Sequence, residues 1–368
     1  MRISASRTSA ISRRSRTPRR WRRSAARTPS ADVDVLVVGA GHGGLAVAHD
    51  LRRDGREVLI VDAHPRVGDA WRRRWDSLRL FTPRDVDGLP HVAFPRGLDP
   101  FPRKDEVADF QEGYAREMGF TLRLGERARS VRRSGKGFAV DIGSDALRAE
   151  TVIAAAGHFQ APRIPELAAR LDPSVLQLHS SEYRRPSQLP DGPVVVVGAA
   201  NSGGEIAVEV ARERPTTIAI GTRKPLPPKR WRDPFWWKLA LVRDRILHER
   251  TAGIRWLPWP IRPGGYLEAD LDRAARDHGL HLAPRAVDAD GDLIRFADGT
   301  TAKARTVIWA TGFRADHSWI DARKDDGVIP IGRHGRTPVP GLWFVRGRFL
   351  FAISRHAREV ARDVRRVG

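Results

Sequence analysis

The sequence predicts an α/β fold built from two copies of one unit, the second set inside the first. Three observations carry that prediction. A strand–glycine turn–helix–strand pattern runs over Asp34–Asp62 and again over Pro193–Lys224. A second motif also occurs twice, as Thr151–Gly157 and Thr306–Gly312. The spacings agree: Gly198 stands 159 residues after Gly39, and Thr306 stands 155 after Thr151. Two independent motifs recurring at nearly one spacing imply two copies of one domain type. The length of 368 residues suits two or three domains at a prior of ~150 residues each.

Taken in order, residues 1–31 stand apart from this scheme. Positions 1–30 hold ten arginines and no acid, so the body keeps +11 of the total +21. The segment reads as a disordered basic extension or an over-extended start. An organellar transit peptide and a phosphate-gripping arm are the alternatives. Trp21 is its only aromatic, too little to stack bases, and no nucleic-acid partner is expected.

The first unit opens on Asp34–Val38, an apolar run suited to a buried parallel strand. Gly39-Ala-Gly41-His-Gly-Gly44 follows, then a helix over Leu45–Arg53, a strand over Glu57–Val61, and Asp62 at its end. Each part has a mechanical reason. Gly39 permits a tight turn, Gly41 lets backbone approach a pyrophosphate, and Gly44 lets helix and strand pack closely. The helix N-terminus faces the phosphate charge, and Asp62 accepts from a ribose hydroxyl. In the second unit, Pro193–Val197 leads into Gly198-Ala-Ala200-Asn201-Ser202-Gly203, a helix over Gly204–Arg212 and a strand over Thr217–Ile220. Hairpin-like stretches precede each second motif, at Gly137–Ala149 and Asp292–Lys303. The fold expected is therefore two Rossmann-like dinucleotide-binding domains of the three-layer ββα type. One comprises 32–158 with 313–368, and the other comprises 159–312 with a Trp-rich insertion at 223–265.

Two dinucleotide sites in one chain suggest a relay in which one cofactor passes a hydride to the other. The second copy carries Arg223 and Lys224 where the first carries Asp62. Cations there suit a 2′-phosphate, which favours NADPH and leaves FAD for the first site; the competing reading is two ordinary solvated charges. Ala200 replaces the middle glycine, and its methyl crowds the pyrophosphate position. The chain has no cysteine, which removes thiol-pair acceptors, iron–sulfur clusters and cysteine nucleophiles. Dioxygen or an organic acceptor remains. No apolar run approaches the ~18 residues of a membrane span, and a cytoplasmic location is expected.

With these residues in view, the chain resembles the flavin-containing monooxygenase superfamily. It is most similar to the compact bacterial branch related to indole-pyruvate monooxygenases and to so-called cation-transport flavoproteins. The resemblance runs from Val33 to the C-terminus. It rests on Gly39–Gly44, Gly68-Asp-Ala-Trp71, Trp75–Pro83, His179–Tyr183, Asn201–Glu205 and Ala310–Phe313. It implies FAD along Gly39, Gly41, Gly44, Asp62, Gly68 and Trp71, with Phe81 and Thr82 near the flavin and Val131 completing that site. It implies NADPH along Gly198, Ala200, Asn201, Ser202 and Gly203 with Arg223 and Lys224, and with His179 and Gly312 between the sites. Asn201 and Thr82 are the residues expected nearest the flavin–nicotinamide contact, and His179 a hinge or nicotinamide-side contact. The activity implied is oxidation of a small organic substrate by dioxygen through a flavin peroxy adduct. Alternatives are a flavin reductase without oxygen insertion and a non-enzymatic nucleotide-binding protein.

The chain departs from the pattern in three places. His42 stands where proline is usual and reads as a surface turn residue. Pro165-Glu-Leu stands where an F-x-G is usual. The glycine-rich turn before the last helix is missing, with a helix expected only over Ser354–Val367. Trp231, Trp236, Trp237, Trp256 and Trp259 suggest an insertion packing its own small core, or else a lid or membrane-surface contact. Asp288–Asp292 lacks the glycine and glutamate of a calcium loop and reads as a hairpin turn; His278 and His281 lack partners, and no metal is expected.

Overall fold

The computed structural model describes residues 32–221, 271–321, 329–347 and 349–367. The basic segment 1–31, Arg223, Lys224 and the Trp-rich stretch lie outside the described residues.

The first sheet starts with β1 (Asp32–Val38), α1 (His42–Arg53) and β2 (Val58–Asp62). Next come α2 (Asp69–Arg72), α3 (Lys104–Met118) and β3 (Thr121–Leu124). A meander follows, β4 (Ser130–Ser134), β5 (Gly137–Asp141) and β6 (Ala146–Ala154). β6 serves twice. Its first half pairs antiparallel with β5, and its second half runs parallel to β1. The sheet order is β3-β2-β1-β6-β5-β4, and a late strand, β17 (Leu342–Phe344), returns to pair with β6.

Between β6 and β17 the chain builds a second sheet. It leaves through β7 (Ala161–Pro162) and lays down β8 (Leu176–His179), β9 (Val194–Val197), α4 (Asn201–Ala211) and β10 (Thr216–Ile220). After the insertion come α5 (Leu271–His278), β11 (His281–Pro284), a meander of β12 (Ala286–Asp290), β13 (Leu293–Phe296) and β14 (Thr301–Lys303), and β15 (Thr306–Trp309). The order β11-β10-β9-β15-β8 is parallel throughout and repeats the parallel part of the first sheet, β3-β2-β1-β6-β17. The chain returns through β16 (Phe313–Arg314), which pairs antiparallel with β7. The last helix is α6 (Leu350–Val367).

The alternation of side chains along a strand sorts the core into layers. Val35 and Val37 of β1 pack with Leu45, Leu51 of α1 and Val360, Val364 of α6. Leu36 and Val38 face the other way, onto Val131, Phe138, Val140 and Leu147 of the meander. β9 does the same: Val194 and Val196 meet Ile206 and Val210 of α4, while Val195 and Val197 meet Ile294 and Phe296. Strands covered on both faces must be apolar at every position, which is why β1 and β9 read as unbroken valine-rich runs.

Three expectations shift. α1 begins at His42 and α4 at Asn201, each three residues before the sequence reading, because the paired glycines lie inside the helices. α6 begins at Leu350 rather than Ser354. His42 is no surface residue: it is 5% exposed, at the head of α1. The Asp288–Asp292 stretch is the end of β12 followed by a two-residue turn into β13, with Gly291 at a left-handed φ of +58°.

Candidate functional site

The two glycine turns are geometric copies. Gly39 has φ +113° and Gly198 +105°, and a Cβ on either would lie 2.5 Å from a carbonyl of the neighbouring strand end, Ala155 O or Ala310 O. Gly39 N donates to Val61 O and Gly198 N to Ala219 O. A Cβ on Gly44 would fall 1.8 Å from Gly39 O, and one on Gly203 would fall 1.9 Å from Gly198 O. Only glycine permits helix and turn to approach so closely. The middle positions also match in backbone, Gly41 at φ −78°, ψ −175° and Ala200 at φ −80°, ψ −175°. That conformation is extended and open to any residue, so Ala200 leaves the turn undistorted. A Cβ on Gly41 would meet nothing within 4 Å. The turn opens onto free space at the point where a pyrophosphate approaches a helix N-terminus, so the first cradle fits a dinucleotide. The exposed Ala200 carries its methyl in the matching space of the second cradle.

Asp62 closes the first cradle. Its Oδ2 accepts Ala40 N at 2.6 Å, and its Oδ1 accepts His64 N at 2.8 Å and lies 2.9 Å from His64 Nδ1. Burial alone would raise this carboxyl, but the bonds from His64 and Ala40 outweigh it and hold Asp62 below the ordinary aspartate range. It stays a carboxylate at the end of β2, ready to accept from a hydroxyl.

The remaining first-site residues divide. Gly68 is the left-handed cap of α2, and a Cβ there would lie 2.6 Å from Ala108 O of α3, so its glycine serves close helix packing. Arg72 fastens the same contact through Asp109 and Glu112 of α3. Trp71 is half-buried in α2, and Phe81 sits edge-on to Phe349 at 5.7 Å, before the head of α6. Thr82 is 3% exposed and its hydroxyl donates to Asp87 Oδ2 at 2.6 Å, so this group faces inward rather than into a cleft. Val131 is buried in the meander, where its N–H donates to Trp319 O and its carbonyl accepts Asp321 N.

At the second site Asn201 and Ser202 are half-buried in the first turn of α4, and the Asn201 Oδ1 atom is buried without a hydrogen-bond partner among the described residues. His179, at the end of β8, is buried and joins the crossing strands: its Nε2 donates to Gly312 O at 3.0 Å, while Ser181 N donates to its Nδ1 at 3.2 Å. Its ring lies edge-on to Phe313, 4.7 Å away. Burial lowers its pKa, partly opposed by the Gly312 bond, so the ring is neutral near pH ~7. His179 therefore fastens the crossing.

Sequence reasoning missed several partners. Arg74 stacks over Phe159, just before β7, and over Phe313 of β16, at 5.2 and 5.6 Å. Asp87 is wholly buried, and His42 Nε2 lies 2.8 Å from Ser354 Oγ of α6. Only His42, in place of the usual proline, left a signal in the sequence.

A sequence profile described as "Pyridine nucleotide-disulphide oxidoreductase" matches residues 36–247. The chain is 37% identical to the CzcO-like oxidoreductase of Geobacillus kaustophilus, over 85% of this chain and 90% of that one. It is 28% identical to indole-3-pyruvate monooxygenase YUCCA1 of Oryza sativa subsp. japonica, over 90% and 91%. Among solved structures, a flavin-containing monooxygenase from Stenotrophomonas maltophilia matches with a TM-score of 0.76 at 26% identity, covering 91% of this chain and 98% of that one. Likeness over so much of the length, on top of the repeated cradles, is kinship: the chain belongs to the pyridine nucleotide-disulphide oxidoreductase family and is an oxidoreductase of its flavin monooxygenase branch.

Proposed function

We propose that this oxidoreductase is an FAD- and NADPH-dependent monooxygenase that acts with dioxygen on a small organic substrate. The observation that carries the reading is the repeated glycine turn at the head of each parallel sheet, with open space above Gly41. We assign FAD to a domain of 32–158 with 313–368 and NADPH to 159–312, in a cytoplasmic protein. Gly39, Gly41 and Gly44 hold the FAD pyrophosphate against the head of α1, and Asp62 accepts from its ribose. Gly198, Asn201, Ser202 and Gly203 hold the NADPH pyrophosphate, with Arg223 and Lys224 on the 2′-phosphate.

Bound FAD supplies hydride acceptance from the nicotinamide and the activation of dioxygen. The protein's own contribution is binding, orientation and exclusion of water. His179 and Arg74 set the crossing strands and hence the angle at which the two cradles face each other. The chain has no cysteine to receive electrons, which argues against the thiol–disulfide chemistry of the wider family.

The purified protein tests this directly. A yellow protein bleached by NADPH, with a transient near-UV band on aeration and substrate-dependent oxygen uptake, is expected. Bleaching with stoichiometric peroxide release and no substrate oxidation would make it a reductase. A colourless protein that cannot be reconstituted with FAD would make it a binding protein.

A further inference from the structure

A buried polar junction lies where the head of α1, the Phe81–Leu89 loop and the N-terminal part of α6 meet. His42 Nε2 is 2.8 Å from Ser354 Oγ, and the Ser354 hydroxyl donates to Gly88 O at 3.4 Å. The neighbouring Asp87 is 0% exposed and accepts the Thr82 hydroxyl through Oδ2 at 2.6 Å. Ser354 has one hydroxyl proton. With Gly88 O taking it, His42 Nε2 is the donor and Nδ1 is left a bare acceptor; Nδ1 is indeed buried without a partner. Asp87 Oδ1 is likewise buried without a partner. Among the described residues, a carboxylate in that position would have no cation and one unsatisfied oxygen, which is costly, whereas a neutral acid is tolerated.

The charged groups of the surrounding elements do not change this. Arg84, in the same loop, is bound by Glu106 and by the carbonyls of Pro95 and Asp99. Lys104 of α3 is bound by Asp105 and Arg72 O, and Asp85 is exposed. Burial holds His42 of α1 neutral, with a pKa lowered to about 3. Arg355 of α6 is half-buried beside Ser354, and among the described residues no charged neighbour contributes to the ionisation of Asp87. Burial pushes Asp87 up to about 7, with the Thr82 bond opposing the rise.

We propose that Asp87 is a positioning residue for the flavin site: neutral, it packs the Thr82 loop against the heads of α1 and α6, and on losing its proton the unpaired buried charge, despite its bond from Thr82, drives that loop open and weakens FAD binding. This rests on the reading of Gly39–Gly44 as the FAD cradle. The link is geometric. The Asp87 loop touches α6 through Gly88–Ser354 and Phe81–Phe349, and Ser354 in turn touches the first residue of α1, whose N-terminus is the cradle wall.

The test is FAD titrated into the apoprotein from about pH 5.5 to 8.5, followed by fluorescence quenching, alongside the melting temperature of the FAD-free protein over the same range. Wild-type Kd is expected to rise about thirtyfold across that range, because the neutral form falls roughly tenfold per pH unit above its midpoint. Asp87→Asn keeps the size and the acceptor for Thr82 but cannot ionise; it should bind FAD at the wild type's acid-side affinity throughout, and its melting temperature should gain on the wild type's between pH ~5.5 and about 7 and keep that lead above. Asp87→Ser, smaller and equally unable to ionise, should give the same flat profile if the asparagine variant folds poorly. Thr82→Val removes the bond that favours the carboxylate, so the inflection should move to higher pH. An inflection that survives in both Asp87 variants overturns the proposal, as does a wild-type affinity that is flat with pH. FAD that fails to bind at any pH overturns the cradle reading as well, which separates the two failures.

Discussion

At the scale of single residues, glycine does two different jobs in one turn. At Gly44 the added carbon would collide with Gly39 O at 1.8 Å; at Gly41 it would meet nothing within 4 Å. Gly44→Ala should therefore cost the fold at least ~3 kcal/mol in urea denaturation, since backbone must move to relieve the clash. Gly41→Ala should leave that stability within ~0.5 kcal/mol but weaken FAD binding about tenfold in a fluorescence titration. Equal stability losses in the two variants would contradict this division. Ala200→Gly makes the converse change in the second cradle and should lower the KM for NADPH severalfold with stability nearly unchanged. Arg223→Ala should raise the KM for NADPH about tenfold and leave NADH alone; equal effects on both would refute the 2′-phosphate role. The cradle glycines and Asp62 were legible because a turn of this kind imposes its residue types locally. Asp87 was not legible: its burial depends on α6, more than 260 residues further on, and nothing near it in sequence reports that contact.

At the scale of elements, strands were easier to place than helix starts. β1, β9 and β15 announce themselves as short apolar runs because both faces are covered. The helices were expected from Leu45 and from Gly204, yet Gly43-Gly44 and Gly203 already lie inside them, since steric demand from the turn overrides glycine's poor propensity. Two contacts of His179 with the returning strand make a testable element. His179→Ala would remove the donor to Gly312 O and the edge contact with Phe313, leaving a cavity beside a carbonyl that keeps its Arg163 N–H. A loss of ~2–4 kcal/mol in denaturant midpoint is expected, with FAD stoichiometry kept and flavin reduction by NADPH slowed. Unchanged reduction kinetics would remove His179 from the hinge role.

At the scale of the whole molecule, ionisable groups pull stability in opposite directions. Asp62 and Asp363 are held below the ordinary range: hydrogen bonds from His64 and from Arg336 and Trp343, respectively, outweigh the effect of burial. The unfolded chain thus binds more protons than the native one on the acid side, and the stability these groups add is lost as pH falls below ~4. Asp87 is raised, so the native state holds the extra proton and stability falls as pH climbs from ~4 through about 7. His42 and His179, both lowered by burial, add stability as pH rises toward ~6.5 and oppose the Asp87 loss, so melting temperature should climb more steeply between pH ~4 and ~7 in Asp87→Asn than in the wild type; equal slopes would contradict the burial of Asp87. The doubled fold was legible from repeat spacing alone, whereas the return of β17 to the first sheet was legible only as a strand, because a partner two hundred residues away leaves no local trace.

The antiparallel pairing of Pro162 with Phe313 puts exit and re-entry side by side. Chain topology then treats everything between them as a cassette. A short linker across that pair would let the intervening lobe be excised or exchanged with a relative's without rethreading the remainder; on the NADPH assignment proposed above, nicotinamide preference would travel with it as one piece.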